Sequence, residues 1–358
     1  MQAARNRRTI MTGLSSSPVL VTGATGYIAG VLIRELVQQG ITVHAAVRDI
    51  SKPERFRYLQ DVVDELKGTI RFFEADLQQK GSFAEAMHDC SIVFHTASPF
   101  ILQVKDAKRD LIDPAVQGTE IVLQQACQTP SVRRVVLTSS AAAMCADNWE
   151  GYTSNHVVDE TNWNRAATLQ YQPYSLSKTL AEQAAWVLAG SQTQWSMVTM
   201  NPTVVMGPGL KYHETNECFR LLQQLTSVSR IPRVGMGVVD VRDVARAHIL
   251  AAYSSPANGR FLLSGDELTD LVQIANRLCR MFPDYPIPQS VVPKSLFWLV
   301  APFFGVQRRF VENMVDIPRN VDNTKSKQIL GMEYRPLDDT LRDMFQQMVD
   351  HGGVVKKT

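Results

Sequence analysis

Cysteine is sparse and scattered in this chain. The five residues Cys90, Cys127, Cys145, Cys218 and Cys279 lie far apart, form no Cys-x-x-Cys pair and are odd in number. That spacing argues against a disulfide framework or a paired-thiol zinc site, and a reducing, cytosolic compartment fits it best. An excess of charge of one sign is also lacking. The 37 Lys and Arg nearly balance the 35 Asp and Glu, for a formal net charge of +2. So small an excess leaves no electrostatic footprint for nucleic acid, and no such partner is expected. No run reaches the ~18 apolar residues of a membrane span. The nearest, Ser295 to Val306, is short and broken by Pro302. It reads as a buried helix and turn lining a pocket, with a membrane-touching or substrate-access patch as the alternative. Residues 1–17 carry Arg5, Arg7 and Arg8 and then serines, without an apolar h-region. They are not a secretory signal and read as a disordered tail, with a transit peptide as the alternative.

What is present is an alternation of strand and helix patterns. Val19 to Val21 is an apolar run ending in a glycine loop, Thr22-Gly23-Ala24-Thr25-Gly26-Tyr27-Ile28-Ala29. Ile28, Val31, Leu32, Leu36 and Val37 follow at helical spacing, Gly40 closes the helix, and Ile41 to Val47 is a second strand. Further strands are expected at Thr69–Phe73, Ser91–His95, Arg133–Thr138 and Trp195–Met200, with helices at Val116–Gln128 and Pro173–Leu188. Val239 to Ala252 reads as a strand and helix returning to the main sheet, and Leu268 to Met281 as a further helix. The fold class is therefore α/β: a Rossmann-type, doubly wound parallel sheet with a smaller C-terminal substrate-binding region. The dinucleotide-binding domain is expected over 18–205 with a return element at about 238–265. The smaller region is expected over 206–237 and 266–345.

The glycine loop sits in the strand–loop–helix–strand context that gives such a motif meaning. A pyrophosphate must approach backbone N–H groups at a helix N-terminus, and side chains at Gly23 and Gly26 would block it. Ala29 takes the place of the third glycine, which packs helix on strand. Gly23, Thr25, Gly26, Tyr27 and Ile28 are the candidate cradle. The second strand ends at Arg48, with Lys52 and Arg55 after it, where an acid would select NAD. A guanidinium matches a ribose 2′-phosphate, so the cofactor is read as NADP(H), with the Asp49 carboxylate as the opposing feature.

Tyr174 and Lys178 stand four apart on an expected helix and so share a face. A free phenol, with pKa about 10, is a sluggish proton donor at neutral pH, and a neighbouring cation lowers that value. Ser139 or Ser140, at a strand end, supplies a hydroxyl to hold a substrate oxygen; adjacent strand residues point oppositely, so one of the two serves. His95 reads as a core or groove histidine rather than a proton relay. His213 and Glu214 border the expected substrate side without a second pair of metal ligands. Phe297, Trp298, Phe303 and Phe304 read either as core packing or as the lining of an apolar pocket or interface.

On the stretches VTGATGYIAG, VHAAVRD, FEADL, VFHTASP, RRVVLTSSAAA, VVDETNW, YSLSKTLAEQAAW and NPTVVMGP, spanning residues 19–209, the chain resembles the extended short-chain dehydrogenase/reductases. Within them it resembles the dihydroflavonol reductase/cinnamoyl-CoA reductase-like group. The resemblance implies Ser140 as the catalytic serine beside Tyr174 and Lys178. It places Asp76 and Leu77 at the adenine, Thr96, Ala97 and Ser98 along the cofactor, and Pro202 and Val204 at the carboxamide. It allows a homodimer. Two positions depart from the plant enzymes of the group. Cys145 stands where dihydroflavonol reductases carry Asn or Asp. Gln170-Tyr171-Gln172-Pro173 stands where cinnamoyl-CoA reductases carry Asn-Trp-Tyr-Cys. The expected activity is thus NADPH-dependent reduction of an aldehyde or ketone to an alcohol, on an apolar small-molecule substrate of the aldehyde/ketone or hydroxysteroid type. A nucleotide-sugar epimerase or dehydratase with bound NAD, and a non-catalytic NADP-binding redox sensor, are the alternatives.

Overall fold

The computed structural model describes residues 17–98, 105–146 and 157–357. The expected tail at 1–17 lies almost wholly outside them. The first half alternates strongly: β1 (Val19–Thr22), α1 (Tyr27–Gln38), β2 (Val43–Val47), β3 (Ile70–Glu74), β4 (Ile92–His95), α2 (Asp113–Gln128), β5 (Arg134–Thr138), α3 (Pro173–Gly190) and β6 (Ser196–Pro202). Then come β7 (Val204–Met206), β8 (Gly235–Asp240), α4 (Val241–Tyr253), β9 (Gly259–Leu263), β10 (Leu268–Asp270), α5 (Leu271–Met281) and α6 (Leu337–Asp350). Seven strands form one sheet in the order β9-β6-β5-β4-β1-β2-β3, with every pairing parallel.

Strand alternation sends successive side chains to opposite faces, and both faces are covered. Val19 and Val21 of β1 join Leu32 and Leu36 of α1 and Val244 and Ala247 of α4 in one core. Leu20 joins Val93, Ile121, Val122 and Ala185 in the core of the other face, under α2 and α3. This is the three-layer arrangement expected of a doubly wound sheet.

The chain leaves the main sheet at Thr203. β7 and β8 pair in parallel, and β10 adds antiparallel to β8. The strand read as returning to the main sheet therefore belongs to this small sheet, and β9 makes the return instead. The reason is local: Thr203 donates its N–H to the Leu263 carbonyl, while β8 passes so close that a Cβ on Gly237 would stand 2.9 Å from Thr203. The helix expected from Leu268 likewise begins at Leu271. Residues 268–270 pair with Gly235–Gly237, and the Asp270 carboxylate caps the helix by accepting the Gln273 N–H at 2.9 Å. Leu268–Met281 thus reads as one period but divides into strand and helix.

The stretch 295–306 also departs from expectation. It forms a short helix (Lys294–Val300) and a 3₁₀ turn (Ala301–Phe304) in which Phe303 and Phe304 are 88% and 75% exposed. Phe297 and Trp298 pack on Val234, Ala301, Val311 and Val315, a satellite of the main core. Among the described residues, no helix is long and apolar enough to cross a membrane.

α6 closes the molecule. Leu341, Met344, Phe345 and Met348 are fully buried, and the Phe345 ring lies 4.6 Å from Phe282 and 5.4 Å from Tyr285. On the same helix, Met344 Sδ accepts the Gly207 N–H and Gln347 exchanges two hydrogen bonds with the Gly209 backbone, at 2.9 and 2.8 Å. Phe345→Ala is expected to lower the unfolding free energy by about 3–5 kcal/mol, read as a reduced denaturation midpoint in urea. A loss below about 1 kcal/mol would show that this helix is peripheral to the cooperative core.

Candidate active site

The carboxyl ends of the main-sheet strands open into a cavity of about 470 Å³. This is where a doubly wound sheet receives ligands. Gly23, Gly26, Tyr27, Ile28, Thr96, Ser98, Ser140, Tyr174, Lys178, Pro202 and Val204 all line it.

At one end lies the glycine loop. Gly23 has φ +64°, and a Cβ there would come within 2.9 Å of Ala97. Gly26 begins α1 without any side-chain cap, so the N–H groups of the first turn are left to a ligand or solvent. Tyr27, Ile28 and Ala29 of that turn face the cavity. Backbone donors at a helix N-terminus suit a dinucleotide pyrophosphate. Tyr27 is held by its hydroxyl, which donates to the Gly207 carbonyl at 2.5 Å, and burial raises its pKa. Thr96 Oγ1 donates to the Thr22 carbonyl and the Ala97 N–H to Thr22 Oγ1, tying the β4 end to the loop.

Thr25, Arg48, Lys52, Asp76, Leu77 and Ala97 lie outside the cavity lining. The Thr25 carbonyl accepts from Tyr58, and Arg48 is exposed immediately after β2. Asp49 turns away to Ser51 and to the Lys52 ammonium, 2.5 Å away, and the Lys52 bond holds its pKa down at about 2. Lys52 is therefore engaged by Asp49, and Arg48 is left beside a neutralised carboxylate. Asp76 accepts the Gln78 N–H beyond β3, and Leu77 packs on Gly118 of α2.

At the other end, α3 presents Tyr174 and Lys178 one turn apart, with the Lys178 Nζ 5.8 Å from the Tyr174 ring centre and donating to Ser98 Oγ at 3.0 Å. Pro173 starts the helix, and Gln172 before it takes a left-handed conformation, φ 51° and ψ 53°, unusual for a residue with a Cβ. Ser140 is extended and caps the 3₁₀ turn Ala141–Ala143, its Oγ accepting the Ala142 N–H; it also hydrogen-bonds Tyr174. Ser139 points elsewhere, donating to the Glu182 carboxylate at 2.5 Å. The pair is thus divided by strand alternation.

Charge is disfavoured here by burial. Burial raises the Tyr174 phenol well above its ordinary value, and the Ser140 bond only opposes this. Burial is the largest cause of the shift at Tyr174. Lys178 is itself lowered to about 8 by burial, opposed by Glu182. His95 bonds Thr22 Oγ1 at 2.8 Å and is held down at about 3 by burial and then by Lys178, so it is a neutral core residue. His213 is lowered to about 4 by burial and Lys211. Among the described residues, no cluster of His, Cys, Asp and Glu could hold a metal.

Beneath the site lies a buried network that sequence reading did not find. Glu182, one turn past Lys178, accepts from Arg260 Nε at 2.6 Å, Asn201 Nδ2 at 2.7 Å and Ser139 Oγ. Asn201 also donates to the Ser140 carbonyl at 3.1 Å. Arg260 extends to the carbonyls of Glu160 and Asn162 and stacks over Trp163 at 3.9 Å. The i, i+4, i+8 spacing of Tyr174, Lys178 and Glu182 was the available signal for one member. Arg260 and Asn201 had none. The substrate side is lined by Cys145, Val158, Met236, Met314, Arg319 and Val321. None of the four aromatics at 297–304 is among the lining residues.

A family model described as the NAD dependent epimerase/dehydratase family matches residues 19–263. The chain belongs to that family. It is 36% identical over 333 residues to a cinnamoyl-CoA reductase from Medicago truncatula, covering 92% of this chain and 95% of the relative. It is 34% identical over 283 residues to an anthocyanidin reductase from Vitis vinifera, covering 75% and 82%. The solved structure of yeast methylglyoxal/isovaleraldehyde reductase complexed with NADPH matches with a TM-score of 0.77 at 28% identity, over 94% of this chain and 100% of that one. Within the family, the chain is an extended short-chain dehydrogenase/reductase of the dihydroflavonol reductase/cinnamoyl-CoA reductase-like group, and an oxidoreductase.

Arg260→Met is expected to leave Glu182 unpaired in the interior and cost about 3–5 kcal/mol of stability. Glu182→Leu combined with Arg260→Met should recover most of that loss, because neither charge then remains buried alone. Thermal and urea unfolding of the three proteins reads the outcome, and a double variant no better than Arg260→Met would refute the pairing as the source of the cost.

Proposed function

We propose that this oxidoreductase reduces an aldehyde or ketone to an alcohol through Ser140, Tyr174 and Lys178. The cofactor is NADP(H). The uncapped N-terminus of α1, Gly23 and Gly26 fit its pyrophosphate, and Arg48 is the group suited to its 2′-phosphate. The observation that carries the reading is that Ser140 and Lys178 both lie with Tyr174 on one cavity wall, reached from β5 and from one face of α3.

When bound, the nicotinamide would supply the hydride. Ser140 donates its hydroxyl hydrogen to the carbonyl oxygen and fixes the carbonyl in place. Tyr174, kept protonated by burial, transfers its proton to that oxygen as charge develops there. Lys178 stabilises the phenolate left behind, and the phenol is re-protonated before the next turnover. The related cinnamoyl-CoA and anthocyanidin reductases and the methylglyoxal/isovaleraldehyde reductase support a carbonyl-reducing activity for this site.

Tyr174→Phe should lower kcat about 100- to 10,000-fold, the usual contribution of a general acid, while NADPH binding followed by fluorescence changes less than about threefold. Turnover near wild type would remove Tyr174 from its role. Arg48→Glu should weaken NADPH binding about tenfold or more and leave NADH nearly unaffected. Equal losses with both cofactors would reassign Arg48 to structure.

Lys178 sets an alkaline limit. Its charge is present below a pKa of about 8 and lost above it, so kcat/KM for reduction should fall as pH rises through about 8. Its pKa is depressed on folding, so its contribution to stability has the opposite sign. From about 8 up to the ordinary value of 10.5 the unfolded chain holds the extra proton, and stability increases with pH. Lys178→Arg keeps the cation at all these pH values and should move the alkaline limb upward; an unmoved limb assigns it to another group.

A further inference from the structure

Among the described residues lining the cavity, two are cationic, Lys178 and Arg319, and none is acidic. Lys178 is engaged at the Tyr174 end by Ser98. Arg319 belongs to the apolar part of the wall, with Met314, Val321, Met236, Val158 and Cys145. It is held there from several sides. Asn320 and Val321 pair in parallel with Val157 and Val158. Gly235 lets the preceding segment come so close that a Cβ would meet the Ile317 carbonyl at 2.9 Å. Arg319 Nη2 donates to the carbonyl of Ala146, six residues past Ser140, and contacts Met314 Sδ at 3.0 Å.

Those contacts use only one of the three guanidinium nitrogens. Nε and Nη1 have no acceptor, and the ion pairs include none to Arg319, among the described residues. Of the other half-buried or buried arginines, Arg242, Arg260 and Arg277 pair with carboxylates, Arg134 is satisfied by the Ala251 and Ala257 carbonyls, and Arg246 has no ion pair, among the described residues. A guanidinium placed against apolar side chains without a carboxylate is unfavourable unless an anion joins it. A single cation beside a largely apolar stretch of wall suits a singly charged carboxylate better than a phosphate dianion, which calls for more donors and charge than this wall offers.

We propose that Arg319 is a specificity-determining residue that receives a carboxylate on the substrate, at the end remote from the carbonyl held by Ser140 and Tyr174. The substrate class is then an oxo acid with an apolar body: an aldehyde or ketone carrying a carboxylate. This rests on the reductase reading above. The chemistry is that reduction, with hydride added to the carbonyl carbon, the Tyr174 proton to its oxygen, and the carboxylate unchanged.

The test uses the full chain, NADPH, and ω-oxo acids of increasing length beside their methyl esters. At one chain length or more the acid should exceed its ester in kcat/KM by about tenfold. Arg319→Met should abolish that preference, lowering the acid about tenfold and the ester less than threefold, and Arg319→Lys should retain part of it. No acid preference in wild type at any length, or equal losses for acid and ester in Arg319→Met, overturns the proposal; the second outcome would make Arg319 a clamp on Ala146. Calorimetric titration of the matching, unreactive dicarboxylates into protein saturated with NADP⁺ separates this inference from the one it rests on. Binding lost in Arg319→Met with no carbonyl turned over would keep the anion site and sink the reductase reading. Turnover of esters without Arg319-dependent dicarboxylate binding would sink the anion site alone.

Discussion

The Glu182–Arg260 ion pair is the constraint on which the active-site geometry rests. A carboxylate with no solvent exposure is tolerable only when its oxygens are fully engaged. Glu182 accepts from Arg260, Asn201 and Ser139, with Thr199 and Trp186 at 3.3 Å. These donors come from β5, β6 and β9 and from α3 itself. They fix the rotation of α3 about its axis, and Lys178 and Tyr174 lie one and two turns earlier on the same helix. The far end of Arg260 grips the Glu160 and Asn162 carbonyls. One buried pair thereby registers α3, the Ser139–Ser140 strand end and the segment after Val158 against one another.

The cofactor end hangs from a different chain of contacts. The Tyr27 ring packs edge-on to Phe219, and its hydroxyl reaches Gly207. The Gly207–Gly209 turn is in turn held by Met344 and Gln347 of α6. The glycine loop at the start of the chain is thus positioned by the last helix, more than 300 residues away. This explains why α6 is packed as tightly as the central strands although it lies outside the main sheet.

The legible parts of this molecule were those written in local pattern. β1, the glycine loop and α1 follow one another within the range that backbone propensity controls, and Tyr174 and Lys178 share a face by helix geometry alone. The choice between Ser139 and Ser140 needed the family resemblance, because alternation says that one points inward without saying which. The small sheet was misread because Val239 to Ala252 has the periodicity of a strand and helix whichever sheet it joins. Only the crowding of Gly237 against Thr203 decides that. Arg260, Asn201 and Arg319 were invisible because their partners lie 19 to 173 residues away along the chain, and no spacing rule connects such positions. For Phe303 and Phe304, composition could not choose between core, pocket lining and an exposed interface; the chain makes a surface turn there, which excludes the first two.

Burial gives the site its chemical direction. Enclosure pushes Tyr174 toward its neutral phenol and Lys178 toward its neutral amine, so the resting pair is poorly suited to holding a phenolate. That state favours a proton donor over a proton acceptor, which is the demand of carbonyl reduction. In the proposed reaction, the Tyr174 phenolate would be stabilised by what surrounds it. The Ser140 hydroxyl, the Lys178 ammonium below pH 8 and a described cavity wall with cations but no acids all favour negative charge. An acid on that wall would oppose both the developing oxyanion and the phenolate. In the reaction and anion site proposed above, the same one-signed lining would both help Tyr174 release its proton and leave Arg319 to an anion, so that proton transfer and substrate selection draw on a single electrostatic feature of the cavity.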